Sequence, residues 1–468
     1  MSRRQALKLA GAAVAGLMVP KSFGAVRPAK KVIVAGAGIT GLCCAYELMR
    51  RGHDATVLEA SDRTGGHVLT AFFQDGLYAD LGAEQCTAPG YELYRGYVKE
   101  FGLELLPFRR HDNLLTFIEK KPYTAEMLAD RKVLGEFGFN GREVDYIAGH
   151  NWHEGRLLYM EPYLDKFTDE YQPFGVELDE LDAVSISDFM QRAGASAAAL
   201  RFFGGKHVSA LQEMWRRSIL KKRGRPAHAT DNLFRIRGGN QRLTDAFAGK
   251  LGQRVRLGCP ISRIKHGDSG VTVYFREPAG EKMIEGDFLV NTIALPTFRN
   301  IPVEPGWPAE KAWVLDNVGY NMQSRVVFQC RTRFWKQDGI SPNITASDIA
   351  LRHVFECATE IPGERGILMS SCQPGITARQ SLEALRQYYP GRRIDVENVS
   401  VKEWYRETWA PMCERLPFRM NQLAKFWPVI MQAHSRIHFA GAYADNYTSG
   451  MEAATRSAHR VARQIDEA

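Results

Sequence analysis

Three glycines, Gly36, Gly38 and Gly41, stand in the order GxGxxG, and a single carboxylate, Glu59, follows 18 residues after the last of them. These residue types at this spacing suit the gripping of a dinucleotide. Gly36 permits a tight turn, Gly38 lets backbone approach a pyrophosphate, and Gly41 lets a helix pack closely on a strand. Ala37 and Thr40 lie within the same turn, where backbone N–H groups at a helix N-terminus meet phosphate oxygens. Glu59 can accept from ribose hydroxyls, and its charge disfavours a phosphorylated ribose. Ala60 and the run Arg63-Thr64-Gly65-Gly66-His67 come next, offering further backbone and a cation to the pyrophosphate.

The elements that must position these groups are readable around them. Lys31 to Ala35 reads as a buried parallel strand, Leu42 to Arg51 as a helix with apolar spacing, and Asp54 to Leu58 as a second strand ending in Glu59. The result is a βαβ unit over Val32 to Glu59, and the glycine pair after Arg63 separates FAD from NAD as its ligand. No Ser-His-Asp, HExxH or paired-carboxylate arrangement competes with it. His67, His153, His207, His353 and His438 stand apart in sequence and read as structural, and no metal site is expected.

A chain of 468 residues is too long for one ordinary core, so two interleaved domains are expected. The net charge of +8, from 61 basic and 53 acidic residues, falls partly on seven basic residues before Val32, so neither nucleic acid nor a membrane surface is an expected partner. The basic run Arg216 to Arg225 reads as a solvated helix end. Eight cysteines without paired spacing make neither a disulfide framework nor a zinc site.

The first thirty residues read as an address. Arg3-Arg4 precedes an 11-residue apolar stretch, Leu9 to Val19, and a small-residue end at Gly24-Ala25. The paired arginines resemble the signal of the bacterial twin-arginine route, which implies export to the periplasm or beyond in the folded state. No other segment reaches 18 apolar residues, so no stable membrane span is expected.

With RxGG after the glycine motif, the chain resembles the flavin amine oxidases, the family of monoamine, polyamine and L-amino-acid oxidases. The similarity continues through Tyr78 to Ala83, Phe234 to Gly239, Val255 to Val273, Phe334-Trp335, Ile437 to Gly441 and Met451-Glu452. It implies an α/β fold in which a Rossmann-like FAD-binding domain (31–70, 235–300 and 430–468) is interleaved with an α+β substrate-binding domain (71–234 and 301–429). A helical lid or entrance is expected over about 138–225, around Trp152 and Trp215. By resemblance Ile261 meets the adenine, Gly441, Ala442 and Met451 meet the flavin, and the helix from Gly450 to Ile465 points its N-terminus at the pyrimidine end.

Four departures fall where the family does its chemistry. Arg325 stands where most members have a lysine that holds a water beside the flavin. It keeps the charge and could anchor a substrate carboxylate, but it cannot donate a proton. Glu84 and Gln85 occupy the place of the arginine that clamps the α-carboxylate in L-amino-acid oxidases, and Glu84 could instead attract an ammonium or guanidinium. Arg325 and Arg352 are then the candidate clamps. Ala442 replaces the acid after the C-terminal glycine, leaving Asp445 to reach ribityl or phosphate. Gly450 stands where relatives carry an aromatic wall, which widens the pocket and leaves Tyr443, Trp409 or Trp427 to supply aromatic surface. Cys413, nine residues after Trp404, has a spacing similar to the flavin-bonding cysteine of monoamine oxidases without its neighbouring glycines, so non-covalent FAD is expected.

The activity implied is oxidation of an L-amino acid to its imine, hydrolysis to the 2-oxo acid and ammonia, and reoxidation by O2 to hydrogen peroxide. The alternatives are a monoamine or polyamine oxidase, or a flavin dehydrogenase or desaturase with another acceptor. Arg325, Glu84 and Gln85 are the candidate catalytic groups, Trp215, Arg352, Trp409, Tyr443 and Gly450 the candidate substrate pocket, and a homodimer the expected assembly.

Overall fold

The run Lys31–Ala35 is buried from Val32 onward and forms the middle of a five-stranded sheet. Its neighbours are Asp54–Leu58 on one side and Phe288–Asn291 on the other, with Val255–Arg256 and Ile437–Phe439 at the edges, all parallel. Both faces are covered, which is why these strands are continuous apolar runs without alternation. The computed structural model describes residues 28–224, 232–337, 340–412, 414–447 and 450–468. The signal-like N-terminus before residue 28 and Cys413 lie outside the described residues.

The first helix, Ile39–Arg50, begins three residues before the apolar periodicity does. Gly38 takes an extended conformation as its N-cap, and Leu42 N–H donates to the Gly38 carbonyl at 3.0 Å to close the first turn. The last helix, Gly450–Glu467, packs along it. Where they meet the sheet, Gly41 comes so close to the Gly36 carbonyl that any Cβ would collide with that oxygen.

A second, seven-stranded sheet runs in the order Val396–Glu403, Ser324–Cys330, Gly366–Cys372, Leu351–Cys357, Ile344–Ala346, Leu115–Ile118, Lys121–Tyr123. Ser324–Cys330 is buried along its whole length and pairs antiparallel with two strands, setting Arg325 opposite Ser371 and Lys402. A small three-stranded sheet has Leu233–Ile236 at its centre, where Phe234 pairs with both Cys86 and Pro107. That double pairing brings the Glu84–Gln85 segment alongside the chain leaving Pro107 toward Arg110.

Within residues 138–225, Trp152 packs against Phe139, Phe202 and Phe203 with ring centroids 5.1–5.7 Å apart. Trp215, read from sequence as a pocket residue, is wholly buried. Its indole donates to the Glu170 carbonyl at 3.0 Å and its ring meets Trp427 edge-on at 5.0 Å, so it holds the helical segment together and does not face the cavity. The basic run at Arg216 is spent on ion pairs, Arg217 with Glu213, Lys221 with Asp165 and Arg223 with Glu170, and among the described residues of this segment only Arg216 reaches the main cavity. Among the described residues, no helix is long and apolar enough to cross a membrane and no cluster suits a metal ion.

Candidate active site

One cavity of about 1300 Å³ opens at the carboxyl ends of the parallel strands, larger than the roughly 300–1,000 Å³ of an ordinary small-molecule pocket. Gly36, Gly38, Thr40, Glu59, Ala60, Arg63, Gly65, Gly66, His67 and Ile261 line it, as do Gly441, Ala442, Tyr443, Gly450 and Met451. Ala37 and Gly41 lie behind this surface and shape it.

The two glycine turns form one cradle. Gly65 N–H donates to the Ala37 carbonyl at 2.8 Å, Gly38 and Gly65 form a parallel bridge, and a Cβ on Gly66 would lie 3.2 Å from Gly38 Cα. Gly38 itself faces open space. Glu59 accepts from Ala37 N–H at 2.6 Å through one oxygen, and from Ser61 N–H and hydroxyl at 2.9 and 2.8 Å through the other. Oε2 keeps a lone pair for a ribose hydroxyl, while Oε1 is filled by its two Ser61 donors. Arg63 folds onto its own turn, donating to the Gly66 carbonyl at 2.8 Å and the Thr64 carbonyl at 3.1 Å. It fixes the cradle from within, a role the expected pyrophosphate contact did not anticipate. Cradle, carboxylate and cavity size together fit a dinucleotide with room for a substrate.

His67, expected from sequence both as a cofactor-binding residue of the RxGGH run and as a structural histidine, faces the cavity. Its Nε2 donates to the Ala410 carbonyl at 3.0 Å, its ring stacks on Trp404 with centroids 4.0 Å apart, and its buried Nδ1 has no partner within the protein. Burial pushes its pKa down to about 4, only partly offset by Ala410, so it is a neutral ring with an acceptor to offer. Asp445 is wholly buried in an ion pair with Arg456 at 3.1 Å and accepts from the Tyr171 hydroxyl at 2.9 Å. It is a buried structural anion that lines no part of the cavity, where a reach toward ribityl or phosphate was expected. Glu452 likewise accepts from Leu93 and Tyr94 N–H, at 3.2 and 2.9 Å, and caps the Glu92–Glu100 helix.

At the other end Glu84 holds two guanidiniums. Arg110 donates to it and to Gln85 Oε1 at 3.2 Å, and Arg325 Nη2 lies 3.5 Å from its second oxygen. Burial raises the Glu84 pKa, but Arg325 and Arg110 outweigh that and hold the carboxyl below its ordinary range. Arg325 also donates to Ser371 Oγ at 2.5 Å and to the Gly82 carbonyl at 3.3 Å, while its buried Nε–H has no partner within the protein. Two permanent cations thus share one anion. His353 beside them is pushed down to about 4 by burial and by Arg110, so it adds no charge at neutral pH. Burial pushes the nearby Glu414 carboxyl up.

Arg352, the other candidate clamp, is exposed and lines no part of the cavity. Neighbouring residues of a strand face opposite ways, and in Leu351–Cys357 it is His353 that turns inward. Trp409 lines the cavity while 44% exposed, and Trp427 is buried, donating to the Tyr171 carbonyl at 2.7 Å. Sequence reasoning missed Arg110, His353 and Tyr91. No spacing rule ties them to Glu84 or Gly450, because the ties run through the three-stranded sheet, the seven-stranded sheet and a helix cap.

The family model described as flavin containing amine oxidoreductase matches residues 39–466. An L-amino-acid oxidase of Siganus canaliculatus is 26% identical over 94% of this chain and 86% of that protein, and one of Bothrops pauloensis is 26% identical over 94% and 90%. A solved putrescine oxidase bound to putrescine superposes with a TM-score of 0.79 at 19% identity, covering 94% of this chain and all of the other. The cyclohexylamine oxidase of Brevibacterium oxydans IH-35A gives 0.76 at 19% identity over 94% and 99%.

Proposed function

The chain belongs to the flavin-containing amine oxidoreductases, and we propose that within them it is an oxidase of L-amino acids using non-covalent FAD, yielding the 2-oxo acid, ammonia and, with O2 as acceptor, hydrogen peroxide. The observation that carries the amino-acid reading is the surplus cation around Glu84. Buried charges are stable when paired, and two guanidiniums with one carboxylate leave a place for one more anion. Arg325, with an unpartnered buried N–H, offers that place to a substrate carboxylate. The amine-oxidase reading would set an ammonium on Glu84, whose Oε2 accepts no hydrogen bond within the protein, but the two guanidiniums beside that carboxylate oppose a third cation there.

Bound flavin supplies the acceptor for the hydrogen and electron pair of the C–H bond beside nitrogen. The protein's part is positional. Arg325 fixes the carboxylate end, neutral His67 presents an acceptor without charge, and the buried walls limit water around the reacting carbon. Export by the twin-arginine route and a homodimeric assembly complete the proposal.

Anaerobic mixing of the holoenzyme with L-amino acids and with simple amines tests it. Bleaching of the flavin band by amino acids is expected, and bleaching by amines alone would overturn the reading. Acid precipitation is expected to leave the yellow colour in the supernatant, and a yellow pellet would refute non-covalent binding.

A further inference from the structure

A second, smaller cavity of about 180 Å³ lies against the substrate end of the first. The two share a wall, since Arg110 and His353 line both. Beyond that wall stand His111, His153 and Thr345, with apolar surface from Leu114, Ile344 and Val354. Of its eight lining residues Arg110 is the permanent cation, three are histidines, His353 among them neutral at neutral pH, and none is acidic. At about 30 Å³ per water it has room for roughly six waters, or a short side chain of a few heavy atoms.

We propose that this chamber and Arg110 form a side-chain subsite that selects acidic L-amino acids, aspartate- or glutamate-like. The inference rests on the amino-acid reading above and deepens it. Charge placement is the argument. The α-carboxylate of any amino acid takes Arg325, and the surplus cation around Glu84 is then spent. Arg110 lines the chamber as well as the main cavity, and the chamber's lining holds no carboxylate to compete for a side-chain anion. With the α-carboxylate on Arg325, a side chain extending toward the common wall meets Arg110 first. Arg110 is already oriented there by Gln85 at 3.2 Å and by the Phe355 ring 4.5 Å from its guanidinium carbon. His111 and His153 line the chamber behind it. The departure at Gln85 thereby gains a use, because an arginine in its place would compete with Arg110 for Glu84.

The test is anaerobic flavin reduction by the holoenzyme with L-glutamate, L-aspartate, L-glutamine, L-asparagine, L-leucine, L-phenylalanine and putrescine. A preference of at least tenfold in the rate at low substrate is expected for the acids over their amides. His153→Leu and Arg110→Met should erode that preference more than they change the rate with L-leucine. His153→Leu guards against a folding failure of Arg110→Met, whose guanidinium is part of the buried cluster. Equal rates for acid and amide, oxidation of neutral amino acids alone, or a preference untouched by both variants would overturn the subsite while leaving amino-acid oxidation standing. Reduction by putrescine alone, or by none of the set, would overturn the subsite and the amino-acid reading together.

Discussion

Tyr91 and Gly450 share one space: a Cβ on Gly450 would collide with the Tyr91 hydroxyl, and Gly450 holds a φ of +80°. The pocket is therefore not simply widened at Gly450, as was expected from the glycine standing where relatives carry an aromatic wall. The ring arrives from another element, just before the Glu92–Glu100 helix, and it lines the same cavity. Gly450→Ala should destabilise the protein by about 1–3 kcal/mol through the positive φ and the collision. Tyr91→Phe should recover part of that loss in the double variant, a coupling measurable by thermal unfolding. Strictly additive effects would show that the two do not share the space.

Arg325 gives a second expectation. Removing a charge-assisted contact to a substrate carboxylate costs about 1.5–3 kcal/mol, so Arg325→Met should lower kcat/KM for L-amino acids roughly 10- to 100-fold. An amine lacking the carboxylate should lose far less. Steady-state comparison of an amino acid with its decarboxylated analogue reads this directly, and equal losses would place Arg325 outside carboxylate binding.

The unequal predictability of the two ends of the cavity has a physical cause. The cofactor cradle is built from neighbours in sequence: strand, turn, helix, strand and Glu59 follow one another over Lys31 to Glu59, and turn chemistry and periodicity are local properties. The Arg110–Glu84–Arg325–Ser371 cluster is assembled from four distant segments by strand pairing, which leaves no local pattern. Trp215 and Arg352 were misplaced for the related reason that residue type says nothing about which way a side chain faces. Asp445 was misplaced because its partner Arg456 comes from the last helix.

Titration of Asp80 should leave a mark on stability. Burial pushes its pKa up to about 7, against hydrogen bonds from Thr70 and from Asn240 N–H. The folded state thus holds a proton that the unfolded chain releases near pH 4, so this contribution is full below pH 4 and is lost as pH rises through 7. His67 and His353, pushed down to about 4, act oppositely, and their contribution is lost as pH falls from 6.5 through 4. Asp80→Asn removes only the first effect. Its stability relative to the parent should improve between pH 4.5 and 8, and a pH-independent difference in melting temperature would contradict the assignment.

Glu59 ties the cofactor site to the fold, because its carboxylate organises Ala37 and Ser61 before any ribose arrives. Glu59→Ala should therefore weaken FAD binding by more than the loss of a ribose hydrogen bond alone, since the turn's Ala37 N–H and the Ser61 hydroxyl also lose their acceptor. At about 0.5–1.5 kcal/mol for each such bond, a fall in affinity of 10- to 100-fold or more is expected. Glu59→Gln keeps one acceptor oxygen and should fall between the two. Titration of apoprotein with FAD, followed by flavin fluorescence, measures all three, and an unchanged dissociation constant for Glu59→Ala would remove Glu59 from the site.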